Sequence, residues 1–465
     1  MAGACRELRP RRALGIRYGN HSASLYSTSR TDGHCFARDT GSCDRAFAPT
    51  WYANKDISVG PDQFTSHIVA MYASFDAVIS MRLFALHGTK VFVFLADVFG
   101  VEKWRKRVAQ GGIPGMNDVL PYGYHHAAGE GWSIEFSKDA DESAIGRLVR
   151  RALTRVFGFD LIHAWRNRRS LMSADVVWTH TEREHLAALA LFVLLRRRKR
   201  PKIIAQCIWL FDRWHRLSAP RRAAYRWLLS RADVVTTHSR SNLAVAREVL
   251  PASRSELLLF GCTSAEDLRP IRQQKPVHRP IRVASLGGDM HRDWETHLSA
   301  FAGRPGFEVR IATGTARLRV GEGVENVRVA EARSVGEVRE LYDWADIVVV
   351  PLKENRHVSG ITVILEAVAS GVPVVASDMG GLQDYFAEGE VCYVPAGDPL
   401  ALRGAVWRLA RDDARRVAMA AAAQTRLLAG RLTSEGYALR HRELSTEILG
   451  VRVAGSGRAT APSLG

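Results

Sequence analysis

From Lys90 onward, short apolar runs rich in β-branched residues alternate with longer helical patterns, and they fall into two series. The first holds KVFVFL (90–95), DVVWTH (175–180), KIIAQCIW (202–209), DVVTTHS (233–239) and ELLLFG (256–261). After the polar, proline-containing stretch RPIRQQKPVHRP (269–280) comes a second: IRVASLGG (281–288), EVRIATG (308–314), NVRVAE (326–331), DIVVVPL (346–352), VPVVAS (372–377) and VCYVPA (391–396). Near-continuous apolar strands separated by helices belong to parallel sheets covered on both faces. Two such series joined by a linker predict an α/β protein with two Rossmann-like domains facing each other across a cleft. The boundaries expected are 81–275 for the first domain and 276–432 for the second. Residues 433–465 are expected to form a last helix and a disordered tail. Residues 1–80 fit neither series and are expected to be a poorly ordered extension, or to precede the functional start at Met81.

Length and composition agree. The 465 residues suffice for two ordinary domains, and 46% hydrophobic with 24% charged residues is a soluble globular composition. No run reaches the roughly eighteen apolar residues of a membrane span, and the start lacks a signal peptide's apolar core, so a cytoplasmic protein is expected. The net charge of +17 points to an anionic partner. Basic amphipathic segments such as AIGRLVRRALTRVFGF (144–159) and PRRAAYRWLLSR (220–231) suit an anionic membrane surface at least as well as DNA. No nucleic-acid-binding signature accompanies them, and no nucleic acid is expected as partner. The six cysteines contain no Cys-x-x-Cys pair. Cys207, Cys262 and Cys392 read as buried thiols, Cys5, Cys35 and Cys43 support a bridge or metal only weakly, and no metal site is indicated.

The stretch HVSGITVILEAVASGVPVVASDMGG (357–381) carries the chemistry. A helix from about Ser359 to Ser370 would bury Ile361, Ile364, Leu365 and Val368 at i, i+3, i+4, i+7, and gather Ser359, Thr362 and Glu366 on a separate stripe. Its N-terminus offers unpaired N–H groups to an anion, and Gly360 leaves room for a phosphate. A carboxylate two turns further on suits ribose hydroxyls rather than phosphate. From the helix alone, Ser359 as a simple cap and Glu366 as a surface or ion-paired residue remain open.

The region from about Asp175 to Leu449 resembles the retaining GT-B glycosyltransferases of family four, the group 1 glycosyl transferases. SGITVILEAVASGVPVVASDMGGLQDYF is similar to that family's donor-binding signature. RADVVTTHSRSNLAVAREVLP, VASLGGDMHRDWETHLSAF and EVRELYDWADIVVVPL resemble further family motifs in the family's order. The resemblance implies that Glu366 holds ribose hydroxyls, that Ser359, Gly360, Ile361 and Thr362 lie near the donor phosphates, and that Gly287 and Gly288 flank the diphosphate. Arg292, and with it Lys353, would then stabilise the leaving nucleoside diphosphate. The family's first Glu aligns with Val358, so either Asn355 or His357 takes over its contact with the donor sugar or the sugar is bound differently.

On the acceptor side, the loop 95–127 mixes Tyr122, Tyr124, His125 and His126, of which Tyr124 and His125 are the expected acceptor contacts. His180 and Glu182, at the carboxyl end of DVVWTH, are the expected catalytic pair, because open α/β sheets place ligand groups there. Gln206 and Asp212 are weaker candidates. The expectation is a metal-independent transferase, without cofactor, moving a sugar from a nucleotide diphosphate sugar to a hydroxyl of a lipid-linked or surface polysaccharide precursor. A nucleotide-sugar 2-epimerase and a degenerate, non-catalytic nucleotide-sugar-binding protein stay open.

Overall fold

The computed structural model describes residues 88–450, apart from 112–114, 116–117, 130, 197–198, 272–275 and 315–317. The expectations for residues 1–80, the tail after 450, and Cys5, Cys35 and Cys43 lie outside the described residues. Among the described residues no helix is long and apolar enough to cross a membrane.

The first sheet contains β1 (Thr89–Phe94), β2 (Trp132–Phe136), β3 (Val176–Thr179), β4 (Lys202–Cys207), β5 (Val234–Thr237) and β6 (Ser255–Leu257), in the order β2-β1-β3-β4-β5-β6. The second contains β7 (Ile281–Leu286), β8 (Phe307–Ala312), β9 (Val327–Ala330), β10 (Ile347–Val350), β11 (Val374–Ser377) and β12 (Cys392–Val394), in the order β12-β11-β10-β7-β8-β9. Every pairing within the two sheets is parallel. The fold is therefore the α/β architecture that the two series predict. Alternation within a strand feeds both faces: Val91 and Val93 of β1 join one apolar cluster, Phe92 and Phe94 another. In β10, Val348 and Val350 face one way, Ile347 and Val349 the other. Cys207, Cys262 and Cys392 are free and buried, as expected.

One strand escapes the sequence pattern. WSIEF at Trp132–Phe136 is the edge strand of the first sheet, none of its residues fully buried and Ser133 exposed. An edge strand needs no continuous apolar run, and here only Trp132, Ile134 and Phe136 alternate with polar residues.

The last helix, Ser434–Leu449, returns to the first domain. Trp178 Nε1 on β3 donates to Ser445 Oγ at 2.8 Å, and Arg440 Nη2 donates to the Leu259 carbonyl at 2.6 Å. Further contacts cross between the domains: Tyr385 donates to the His238 carbonyl at 3.0 Å, and the Arg240 N–H to Asp384 at 2.7 Å. The cleft between the sheets' carboxyl ends is thus held at several points.

Candidate nucleotide-sugar cleft

The helix Ile361–Ala369 begins at Gly360, whose φ of +89° is the left-handed conformation that glycine adopts without strain. A Cβ there would lie 2.6 Å from Val350 Cγ1, so Gly360 answers both to conformation and to space. The helix is buried all round except at Thr362. The expected polar stripe is real: Ser359, Thr362 and Glu366 all line cavities, Glu366 being only 3% exposed. Glu366 accepts a 2.7 Å hydrogen bond from the Tyr342 hydroxyl, so it is no surface carboxylate.

Arg292 crosses the start of this helix. Its Nε donates to the Leu286 carbonyl at 2.9 Å and its Nη1 to Ser359 Oγ at 2.9 Å, with Asp289 Oδ2 3.1 Å away. Burial pushes its pKa down, and the Asp289 charge opposes that. The guanidinium passes so close over Gly287 that a Cβ would sit 2.1 Å from Nε. Asp289, which accepts from Ser359 Oγ at 3.0 Å, has no forerunner in the sequence reading.

Two cavities share Arg292 and Thr362 in their walls. One, of about 430 Å³, lies between the domains and is walled by Tyr122, His180 and Glu184 on one side and Val358, Ser359 and Gly360 on the other. The second, of about 340 Å³, runs along the second domain past Gly287, Gly288, Thr313 and Glu366. Gly287, Gly288, Arg292, Ser359, Gly360, Ile361, Thr362 and Glu366 therefore all line one or both. Lys353 does not: it is exposed and lines neither cavity, because the loop turns its side chain outward while its N–H bonds the His291 carbonyl. Of the two substitutes for the missing Glu, His357 lines the cleft. Asn355 is fixed within the loop, its Oδ1 accepting from the Ser359 N–H and its Nδ2 donating to the Lys353 carbonyl. Val358 itself is buried at φ +54°, an uncommon conformation for a β-branched residue.

On the first domain, His180 lines the cleft as expected. Its ring stacks on Tyr122 at 3.6 Å between centroids, and Nδ1 is 3.1 Å from the Tyr124 hydroxyl. Burial, reinforced by His238 and His441, pushes its pKa well below the usual value, so the ring is neutral. Glu182 is a different matter. Its Oε2 accepts from the N–H groups of Ile208 and Trp209 at 3.3 Å, pinning the loop after β4, and it lines neither cavity. The carboxyl that does line the cleft is Glu184, two residues on, which also closes the capping box of the helix Glu182–Leu194 by accepting from the Thr181 N–H at 2.6 Å. Burial raises the Glu184 pKa to about 8.

The acceptor expectations also shift. Tyr124 is wholly buried, its hydroxyl between His180 and Tyr437, and Tyr122 takes its place on the cleft wall. His125 lies outside the cleft, 3.6 Å from Asp118, which also bonds His126. Gln206 is buried and bonded to Thr236, whereas Asp212 bonds His357 across the domains at 2.6 Å.

Comparison with known proteins follows the same outline. Residues 297–412 match the family of group 1 glycosyl transferases. Over 185 residues the chain is 32% identical to a GDP-mannose-dependent alpha-mannosyltransferase of Mycolicibacterium smegmatis, covering 36% of this chain and 46% of that protein. Over 95 residues it is 41% identical to a D-inositol 3-phosphate glycosyltransferase of Corynebacterium urealyticum, covering 20% and 22%. The matches thus span less than half the length of these relatives. Among solved structures, sucrose-phosphate synthase from Thermosynechococcus elongatus superposes with a TM-score of 0.59 at 18% identity, over 78% of this chain and all of that one. Anabaena HepE in complex with UDP-glucose does so with 0.53 at 15% identity, over 77% and 99%. The fold is GT-B, with the family match falling within the second domain.

Proposed function

We propose that the protein is a glycosyltransferase that takes a sugar from a nucleotide diphosphate sugar and joins it to an acceptor hydroxyl. The observation that carries this reading is that two cavities share Arg292 and Thr362, at the start of the helix Ile361–Ala369, in their walls. The nucleoside would lie along the second cavity with its ribose hydroxyls on Glu366. The diphosphate would lie at these shared residues, met by helix N–H groups and by Arg292, and the sugar would reach into the cleft beside His180 and His357. As the sugar leaves, charge builds on the diphosphate, and a buried guanidinium beside a helix N-terminus stabilises it without needing a metal or other cofactor for the transfer step. Retention of configuration is supported by the sequence resemblance. The structural neighbour that binds UDP-glucose and the GDP-mannose-dependent relative support a sugar nucleotide as donor.

The acceptor side supports a lipid-borne substrate at an anionic membrane face. The helix Ala144–Phe157 is mounted inside-out: Arg150 turns inward to Asp97, Glu142 and Asp160, while Ile145, Leu148 and Val156 are 65–76% exposed. Behind it a cavity of about 820 Å³, lined by Arg151 and Arg155, shares Ala96, Arg183 and Glu184 with the cleft. Such a helix lays its apolar residues into a bilayer, with arginines towards anionic headgroups.

Incubation with UDP-, GDP- and ADP-sugars, with and without a lipid extract as acceptor, tests the reading. Release of nucleoside diphosphate that depends on the extract supports transfer. Conversion of the sugar nucleotide with no acceptor would support the epimerase instead. Val358 supports a second, non-catalytic reading, in which nucleotide binds without turnover and Val358→Glu restores activity.

A further inference from the structure

A cluster outside the diphosphate site brings together three residues far apart in sequence. Asp212 follows β4 in the first domain; His291 and His357 lie in the second, next to Arg292 and Val358 respectively. Each offers one ligand atom within 4.8 Å of the other two. The ligands of a tetrahedral zinc ion stand about 3.3–3.5 Å apart, so the groups are within small side-chain movements of a common centre.

The hydrogen bonding of Asp212 is half complete. Oδ2 accepts from His357 Nδ1 at 2.6 Å and from the Arg356 N–H at 3.0 Å. Oδ1 is buried and makes no hydrogen bond of good geometry among the described residues; the Asn242 amide lies nearby, its nitrogen donating to the Ile208 carbonyl. The Asp212 side chain is only 9% exposed and that of His357 5%. A sheltered carboxylate oxygen with nothing to accept from costs free energy unless something completes it. The His291 ring, 4.7 Å from that of His357 between centroids, makes no close ion pair to hold it elsewhere: Asp289 is 3.9 Å away.

We propose that Asp212, His291 and His357 bind a divalent transition-metal ion of the zinc and cobalt class, which clips the two domains together at the mouth of the cleft. Two imidazoles and one carboxylate suit such an ion, whereas magnesium and calcium prefer oxygen ligands. His357 lines the cleft, which gives the ion an entry path and leaves an open position facing it. The site adjoins the Arg292 position and shares the cleft wall with it at His357, but metal binding is measured without any transferase activity.

The test is titration of the chelator-treated, full-length protein with cobalt(II), followed by visible absorption, with zinc(II) as competitor. The expected result is one ion per chain with ligand-field bands of a four-coordinate site, displaced by zinc. His291→Ala leaves the Asp212–His357 hydrogen bond intact and should weaken binding at least about tenfold, as should Asp212→Asn. Unchanged melting temperatures of the metal-free variants would show that they fold. Absence of saturable binding, or binding equally tight in His291→Ala, overturns the proposal.

Discussion

Arg292 Nη1 donates to Ser359 Oγ at 2.9 Å, tying the loop after β7 to the start of the helix Ile361–Ala369. The same guanidinium faces the Asp289 carboxylate at 3.1 Å, and Ser359 donates to that carboxylate too. Asp289 thus occupies the part of the cleft where a diphosphate would meet Arg292. The Asp289 side chain is 40% exposed and has room to swing away. Asp289→Asn removes a negative charge that repels the diphosphate and competes for Arg292. It should tighten binding of the preferred nucleoside diphosphate several-fold, measured by calorimetry; weaker binding would show that Asp289 supports the ligand instead.

Gly360→Ala places a Cβ against Val350 and forces a left-handed conformation on alanine. The conformational cost is about 1–2 kcal/mol before any steric clash. Urea denaturation should show at least that loss, together with weaker nucleotide binding because the helix start shifts. Unchanged stability would mean that the loop relaxes freely.

Glu184 gives the fold a pH dependence. Burial raises its pKa from 4.5 to about 8, so between those values the folded state holds a proton that the unfolded state has released. Its contribution is fully present below pH 4.5 and is lost as pH rises through about 8. Glu184→Gln keeps an acceptor for the Thr181 N–H and removes the titration. Denaturant midpoints should therefore fall less steeply from pH 5 to pH 8 in the variant than in the wild type; parallel profiles would contradict this.

The inside-out helix makes a separate prediction. Ile145 and Val156 are 76% and 65% exposed, and burying an aliphatic side chain is worth about 1.5–3 kcal/mol. Ile145→Ser combined with Val156→Ser should lower co-sedimentation with anionic vesicles by about tenfold or more, with little change in melting temperature. Retention of the wild type should weaken with salt. Equal retention of wild type and variant would remove this helix from membrane docking.

Much of this was legible in the chain because parallel strands buried on both faces write themselves as apolar runs; β10, read from DIVVVPL, is the plainest case. Trp132–Phe136 was not legible, since a half-exposed edge carries no such run. At the site, local spacing placed Ser359, Thr362 and Glu366, because one helix carries or adjoins all three. Partnerships across the fold leave no spacing signal: Tyr342 with Glu366, and Asp212 with His291 and His357, are separated by 24 residues or more. The exchange of Glu182 for Glu184, and of Tyr124 for Tyr122, has another cause. Residues two apart at a helix start or in a 3₁₀ turn point in different directions, and which one meets the cleft depends on how the turn is set against the sheet.

On this reading the Arg292 guanidinium and the cavity beside Glu366 bind a nucleoside diphosphate. Thermal denaturation across UDP, GDP and ADP and their sugar conjugates, for wild type and Glu366→Ala, tests it most directly, since a ligand that binds only the folded state raises the melting temperature according to its affinity. One base should be selectively stabilising, and Glu366→Ala should abolish most of that stabilisation. No shift with any nucleotide, or a shift that Glu366→Ala leaves intact, would contradict it.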